Sequence, residues 1–146
     1  MPLRMALESM SSVMSVETGT RMIPPGSSYE IMIAGSGMHR YLSLAAMLIP
    51  TNDAFVGISM MELPTHRRPV MTYAYAYDAG TEMNAETCGT IPGPSYSECG
   101  GPGGARPRGD GRGLHLDPQR HHGVGDFELD RDWKNPVAMI TMHRIS

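Results

Sequence analysis

Three acidic residues beside turn sequences are the strongest candidates for chemistry in this chain. Asp53 follows the turn-forming residues 50–52 (PTN), and Asp78 and Glu82 bracket the loop DAGTE. Their spacing places two carboxylates around a glycine bend, so both can face one point. Ca²⁺ takes roughly six to eight oxygen ligands from carboxylates and loop carbonyls. The pattern therefore indicates a candidate calcium site, while a solvated turn in which Asp78 caps backbone amides explains the same residues without metal.

A second cluster combines histidine and aspartate in a polar stretch, at His115, Asp117, His121 and His122. These side chains at short spacing are ligands that Zn²⁺ accepts. With a general base and an open ligand position, such a site predicts a metal-dependent hydrolase. The alternative is a polar loop between Arg-rich and Gly-rich segments.

Other classes of function have weaker support in the sequence. No serine lies in a G-x-S-x-G elbow, and no G-x-G-x-x-G or Walker loop follows a predicted strand. The net charge of -3 argues against nucleic acid as a partner. Arg106, Arg108 and Arg112 stand among glycines, which is typical of a solvated loop. The longest apolar run, residues 41–50, is about half of what a bilayer span requires.

The elements that must position these residues are predicted to be strands. The chain has 17 Gly and 12 Pro residues among 146, a composition that favours turns over long helices. In residues 69–77 tyrosines alternate with alanines, which is a strand signal. Only residues 6–16 have a weak helical pattern, and residues 83–113 are predicted to be loop. About five or six strands are predicted, with five of them at residues 29–34, 41–49, 53–63, 69–77 and 137–145. We therefore expect an all-β fold, an antiparallel β-sandwich of two layers.

Three further expectations concern packing and covalent structure. Cys88 and Cys99 lie in a loop-like stretch, where they either form one disulfide or remain reduced. The 14 methionines are expected to fill irregular gaps in the core. Phe55 and Trp133 each stand at a strand entrance and are predicted to pack in the core.

Five short motifs are spaced along the chain: residues 50–57 (PTNDAFVG), 77–82 (YDAGTE), 91–94 (IPGP), 122–126 (HGVGD) and 132–138 (DWKNPVA). Together, and in this order, they resemble the spondin-N domain family as found in bacterial spondin-domain proteins. The resemblance covers roughly residues 40–95 and 122–145.

The resemblance implies a C2-like β-sandwich with one bound Ca²⁺. The family's ligating acids map onto Asp53, Asp78 and Glu82, where Glu82 replaces the aspartate of the animal members. It also implies a secreted, periplasmic or cell-surface module with a non-catalytic binding or adhesion role. The ligand would be extracellular or on a cell surface, and the sequence does not identify it.

Two segments depart from the family pattern. Residues 1–28 match poorly and carry no signal peptide, so we assign the sandwich domain to residues 29–146 and expect that an N-terminal strand is missing. Residues 105–121 also differ, and a pair of compensating frameshifts would explain their Arg-, Pro- and His-rich composition. Both departures favour a third reading, a truncated domain without function.

Overall fold

The computed structural model of the chain describes residues 2–49, 51, 53–81 and 134–145, together with the backbone of residues 115–116. Within these ranges the chain is mostly strands with one short helix. The elements are α1 (Pro2–Glu8), β1 (Tyr41–Met47), β2 (Ala54–Glu62), β3 (Val70–Asp78), β4 (His115–Leu116) and β5 (Ala138–Met142).

The strands form an antiparallel sheet with β3 at its centre. The order is β1-β2-β3-β4, and β5 also pairs with β3. Strand β5 pairs with residues 70–74 of β3, whereas β2 pairs with residues 75–78. Each pair is antiparallel. The β-rich architecture predicted from the sequence is thus present in the described residues.

The central strands of the sheet have one buried face, here called the covered face, and one exposed face, here called the open face. Ala74 and Ala76 of β3 are fully buried, whereas Tyr73 and Tyr75, which alternate with them along the strand, are exposed. Ala54 and Val56 of β2 stand opposite Asp78 and Ala76 in the register and are buried with them. The alternation of tyrosine and alanine in the sequence therefore marks the two faces, and the small side chains lie on the covered one.

A side chain continues the hydrogen-bond ladder on one edge of β3. The amide of Val137 donates to the carbonyl of Ala74 at 3.0 Å, and the amide of Ala76 donates to Oδ1 of Asn135 at 2.8 Å. Strand β2 occupies the opposite edge beside Ala76. Asn135 therefore lies between β5 and β4, where it accepts a hydrogen bond that a strand carbonyl would otherwise accept.

Three sequence-based expectations are wrong in the described residues. Most of the described methionines are exposed rather than packed in the core, as Met38 is at 90%, whereas Met142 is buried. Residues 29–34 carry no strand; Met32 is 73% exposed, and the hydroxyl of Tyr29 interacts instead with Thr20 at 3.0 Å. A strand pattern needs a pairing partner, and this segment has none among the described strands. Phe55 is half-buried and stacks on Tyr77 on the face opposite Ala54 and Val56, so it does not belong to the buried core.

Several other expectations concern residues outside the described part of the chain. These are the state of Cys88 and Cys99, the packing of Trp133, the loop at residues 83–113 and nearly all of residues 105–121. No helix among the described residues is long and apolar enough to cross a membrane.

Candidate metal centre

The sheet register brings two of the predicted acidic ligands to the same end of the β2–β3 pair. Asp53 immediately precedes β2, and Asp78 is the last residue of β3. Because the strands run antiparallel, the start of β2 lies beside the end of β3, and Ala54 pairs with Asp78. The two acids are thus neighbours although 25 positions separate their numbers in the sequence.

Asp53 fastens the loop that follows β3 to the start of β2. Its Oδ2 accepts hydrogen bonds from the amide of Thr81 at 2.6 Å and from the hydroxyl of Thr81 at 2.7 Å. Its backbone carbonyl accepts from the amide of Ala79 at 3.3 Å. The other carboxylate oxygen, Oδ1, is shielded from solvent. The side chain is therefore held in one orientation by a partner on a different element.

Asp78 shapes the same loop from the end of β3. It is only 4% exposed, and its Oδ1 accepts a hydrogen bond from the amide of Gly80 at 2.7 Å. A hydrogen bond that an aspartate side chain accepts from the amide two residues later forms an Asx turn. Gly80 has φ of 67°, a backbone conformation that glycine adopts without steric cost. The turn redirects the chain so that Thr81 reaches Asp53.

Thr51 braces the turn that contains Asp53, through bonds to the backbone on both sides of it. It is 4% exposed, and its Oγ1 donates to the carbonyl of Leu48 at 2.6 Å and accepts from the amide of Ala54 at 3.2 Å. One hydroxyl thus closes the connection between β1 and β2. Neither Thr51 nor Thr81 was predicted from the sequence; the signal available was a threonine within three positions of each acid in a turn, where hydroxyls commonly bond the local backbone.

The arrangement offers hard oxygen ligands to a cation. Two carboxylates lie on adjacent strand ends. An amide and a hydroxyl donate to Asp53, and an amide donates to Asp78, in the way that outer partners orient metal-ligating carboxylates. The donor type fits Ca²⁺, which binds oxygen atoms of carboxylates, backbone carbonyls and water. Glu82, the third predicted ligand, follows Thr81 directly and lies outside the described residues. Within the described ranges no group of three or more His, Cys, Asp or Glu side chains is gathered.

The same contacts also have a role without any metal. Asp78 caps a tight turn, and Asp53 ties that turn to the next strand. This matches the alternative in which Asp78 caps backbone amides, except that Asp78 is buried rather than solvated. The geometry is therefore a braced loop with two carboxylates at one end of the β2–β3 pair.

One residue of the histidine cluster also lies at this end of the sheet. In the β3–β4 register His115 pairs with Asp78 and Leu116 pairs with Tyr77. Asp117, His121 and His122 lie outside the described residues. The backbone thus brings one histidine position next to a buried aspartate.

Comparison of the chain with protein-family models, with curated proteins and with solved structures finds no match. The resemblance to spondin-N domains therefore rests on the sequence motifs alone and stays a prediction. Among the residues of these motifs, Thr81 donates a hydrogen bond to Asp53, and Asn135 accepts one from Ala76 of β3.

Proposed function

We propose that this chain is a non-catalytic, calcium-binding β-sandwich module of the spondin-N type. In this proposal Asp53, Asp78 and Glu82 hold one Ca²⁺ at the end of the β2–β3 pair. The ion stabilises the loop after β3, and the module acts in binding or adhesion outside the cytoplasm.

The observation that carries the proposal is the bond between Asp53 and Thr81. It joins the start of β2 to the loop after β3 at 2.6 Å and 2.7 Å, one residue before Glu82 in the chain. Two carboxylates brought to one end of a sheet repel each other unless positive charge lies near. A divalent cation bound there would compensate this repulsion and would stabilise the folded state.

The binding role is supported more indirectly. In the motif-bearing segments the polar contacts of the described residues brace loops, as the bonds of Asp53, Asp78 and Asn135 show. A bound ion in such a place supplies rigidity to a loop that can contact a partner. The wider role in adhesion comes from the family resemblance and is an analogy at the level of the fold.

The decisive experiment is a thermal melt of the full chain with Ca²⁺, with Mg²⁺ and with chelator. A ligand of the folded state at about a hundredfold over its Kd adds about 2.7 kcal/mol of stability. For a chain of this size, that is a rise of roughly 5–10 °C. We expect the rise with Ca²⁺, a smaller one with Mg²⁺, and none for Asp78→Asn.

A matched control distinguishes a specific site from general charge effects. Glu62 is an exposed acid at the far end of β2, where its carboxylate lies 3.7 Å from Arg40. Glu62→Gln removes the same charge as Asp78→Asn and should leave the Ca²⁺-dependent rise intact. If the wild-type chain shows no rise with Ca²⁺, or if Glu62→Gln abolishes it as well, the proposed site is wrong.

The register of β4 supports testing a second function, the metal-dependent hydrolase. His115 stands opposite Asp78, so a zinc site would share this end of the sheet. Zinc retained in stoichiometric amount after purification, and lost on replacing His121 and His122, would favour the hydrolase. A melt without cooperativity in all conditions would favour the truncated, non-functional domain.

A further inference from the structure

Strand β1 forms one end of the described sheet. One of its edges pairs with β2, and no strand in the described part of the chain pairs with the other. The amide of Leu48 donates to the carbonyl of Ala54, and the amide of Leu63 donates to the carbonyl of Arg40. Arg40 and Leu48, at the two ends of β1, thus direct their backbone groups toward β2, and so do the even-numbered residues between them. Because the backbone groups of alternate residues point to opposite edges of a strand, the odd-numbered residues direct theirs outward: Tyr41, Ser43, Ala45 and Met47.

This outward edge lacks the features that commonly prevent strand pairing. Natural edge strands often carry a charge, a proline or a bulge. The sequence of β1 is YLSLAAM, with no charged residue, proline or glycine. The register shift between β1 and β2 places the extra residue on β2, where Met60 has a positive φ of 55°. The regular alternation of β1 is therefore unbroken along its outer edge.

We propose that the outer edge of β1 pairs with β1 of a second copy of this chain, giving an antiparallel dimer with a continuous sheet. A twofold axis at Leu44 pairs Tyr41 with Met47 of the second copy and Ser43 with Ala45 of the second copy. All four outward residues then exchange backbone hydrogen bonds with one another. The strand is self-complementary, as an interface related by a twofold axis requires.

The side chains in this register are compatible with close pairing. Tyr41 is 44% exposed and Met47 is 47% exposed, and the dimer brings them together at both ends of the interface. Methionine sulfur makes favourable contacts with aromatic rings. Ser43 and Ala45 are small and stand on each side of the axis, while Leu44 meets its own copy. No like charges are brought opposite each other within β1.

Charge and exposure favour a second copy over the chain's own apolar segment. Arg40, next to β1, lies 3.7 Å from Glu62 of its own chain, and in the dimer the two Arg40 residues lie at opposite ends of the paired strands. Residues 29–34 resemble a strand in sequence, but all of them except the half-buried Tyr29 are exposed, and none pairs with β1. The symmetric register also uses the full length of β1, which a six-residue segment does not.

The test measures the oligomeric state of the full chain by sedimentation equilibrium in the presence of chelator, so that it does not depend on the calcium site. We expect a concentration-dependent dimer in the wild type. Ala45→Lys and Ala45→Glu place like charges beside the axis, and each variant should sediment as a monomer. An equimolar mixture of the two variants should recover the dimer, because opposite charges then face each other.

The matched control carries the same charges on another strand. Thr141 of β5 is exposed and lies away from β1, so Thr141→Lys and Thr141→Glu should both remain dimeric. Ala45→Pro removes one outward amide without removing a bond to β2, and it should also give a monomer that still melts cooperatively. A wild type that is monomeric at every concentration, or Ala45 variants that dimerise like the wild type, would overturn the proposal. So would a mixture that stays monomeric although both variants melt cooperatively.

Discussion

Asp53 and Thr81 are joined by two hydrogen bonds to a single carboxylate oxygen, across 28 positions of sequence. This contact fixes the loop after β3 against the start of β2. Asp78 creates the turn that makes the contact possible, because its Oδ1 holds the amide of Gly80. The order of the candidate metal centre thus depends on Thr81, whose hydroxyl can be removed without changing any acid.

Replacing Thr81 with valine should weaken calcium binding. The substitution keeps the shape of the side chain but removes the hydroxyl that donates to Asp53. Partners that orient a metal ligand typically contribute about 10–100-fold in affinity. We expect a loss in that range by calorimetric titration with Ca²⁺, and near-normal affinity for Thr81→Ser. Equal affinity in Thr81→Val and wild type would mean that Asp53 is not a ligand or needs no orientation.

Thr51 should contribute to stability whether or not calcium binds. Its hydroxyl is buried and bridges Leu48 and Ala54, so Thr51→Val leaves a buried amide and carbonyl with fewer partners. A lost hydrogen bond of this kind costs about 1–3 kcal/mol. Denaturant unfolding in chelator should show this loss for Thr51→Val and a much smaller one for Thr51→Ser. A valine variant as stable as the wild type would show that the hydroxyl is not needed to close this connection.

Most of the described sheet was predictable from the sequence because its strands alternate or are uniformly apolar. The strands predicted at 41–49, 53–63, 69–77 and 137–145 are found at Tyr41–Met47, Ala54–Glu62, Val70–Asp78 and Ala138–Met142. Residues 29–34 are also rich in apolar residues, but they have no partner among the described strands. Composition alone does not predict whether a segment finds a pairing partner. Phe55 shows a similar limit: hydrophobicity predicted burial, but the register places the residue opposite Tyr77 on the open face.

The candidate site was predictable to a smaller extent. Acid type and spacing pointed to Asp53 and Asp78, and the antiparallel register brings both to one end of the sheet. The roles of Thr51, Thr81 and Asn135 were not predictable, because each acts through a contact with a residue whose position only the fold defines. The predicted second layer of the sandwich stays a prediction.

Asn135 should be required for stability at the gap between β4 and β5. Its Oδ1 accepts a hydrogen bond from the amide of Ala76 at 2.8 Å, and the side chain of Ala76 is fully buried. Asn135→Ala leaves this amide without that acceptor, at a cost of about 1–3 kcal/mol. Chemical denaturation should detect the loss. Lys134→Ala, the exposed neighbouring position, serves as the control and should be nearly neutral. Equal stability of the two variants would contradict a role for Asn135 in the ladder.

The stacked pair on the open face should couple β2 to β3 energetically. The rings of Phe55 and Tyr77 lie 5.5 Å apart between centroids, with an angle of 23° between their planes. Such pairs contribute about 0.5–1.5 kcal/mol beyond the area they bury. A double-mutant cycle of Phe55→Leu and Tyr77→Leu, followed by urea unfolding, should give a coupling energy in this range.

Tyr73 provides the matched control for this cycle. It lies on the same face of β3 and is 60% exposed, and it stands opposite Met139 rather than Phe55. Sites without a shared contact usually add within about 0.3–0.5 kcal/mol. Phe55→Leu and Tyr73→Leu should therefore be additive. If the Phe55–Tyr77 cycle is additive as well, the two rings lie side by side without stabilising the β2–β3 pair. The order of the candidate metal centre would then depend on the backbone hydrogen bonds of the sheet and on the Asp53–Thr81 contact.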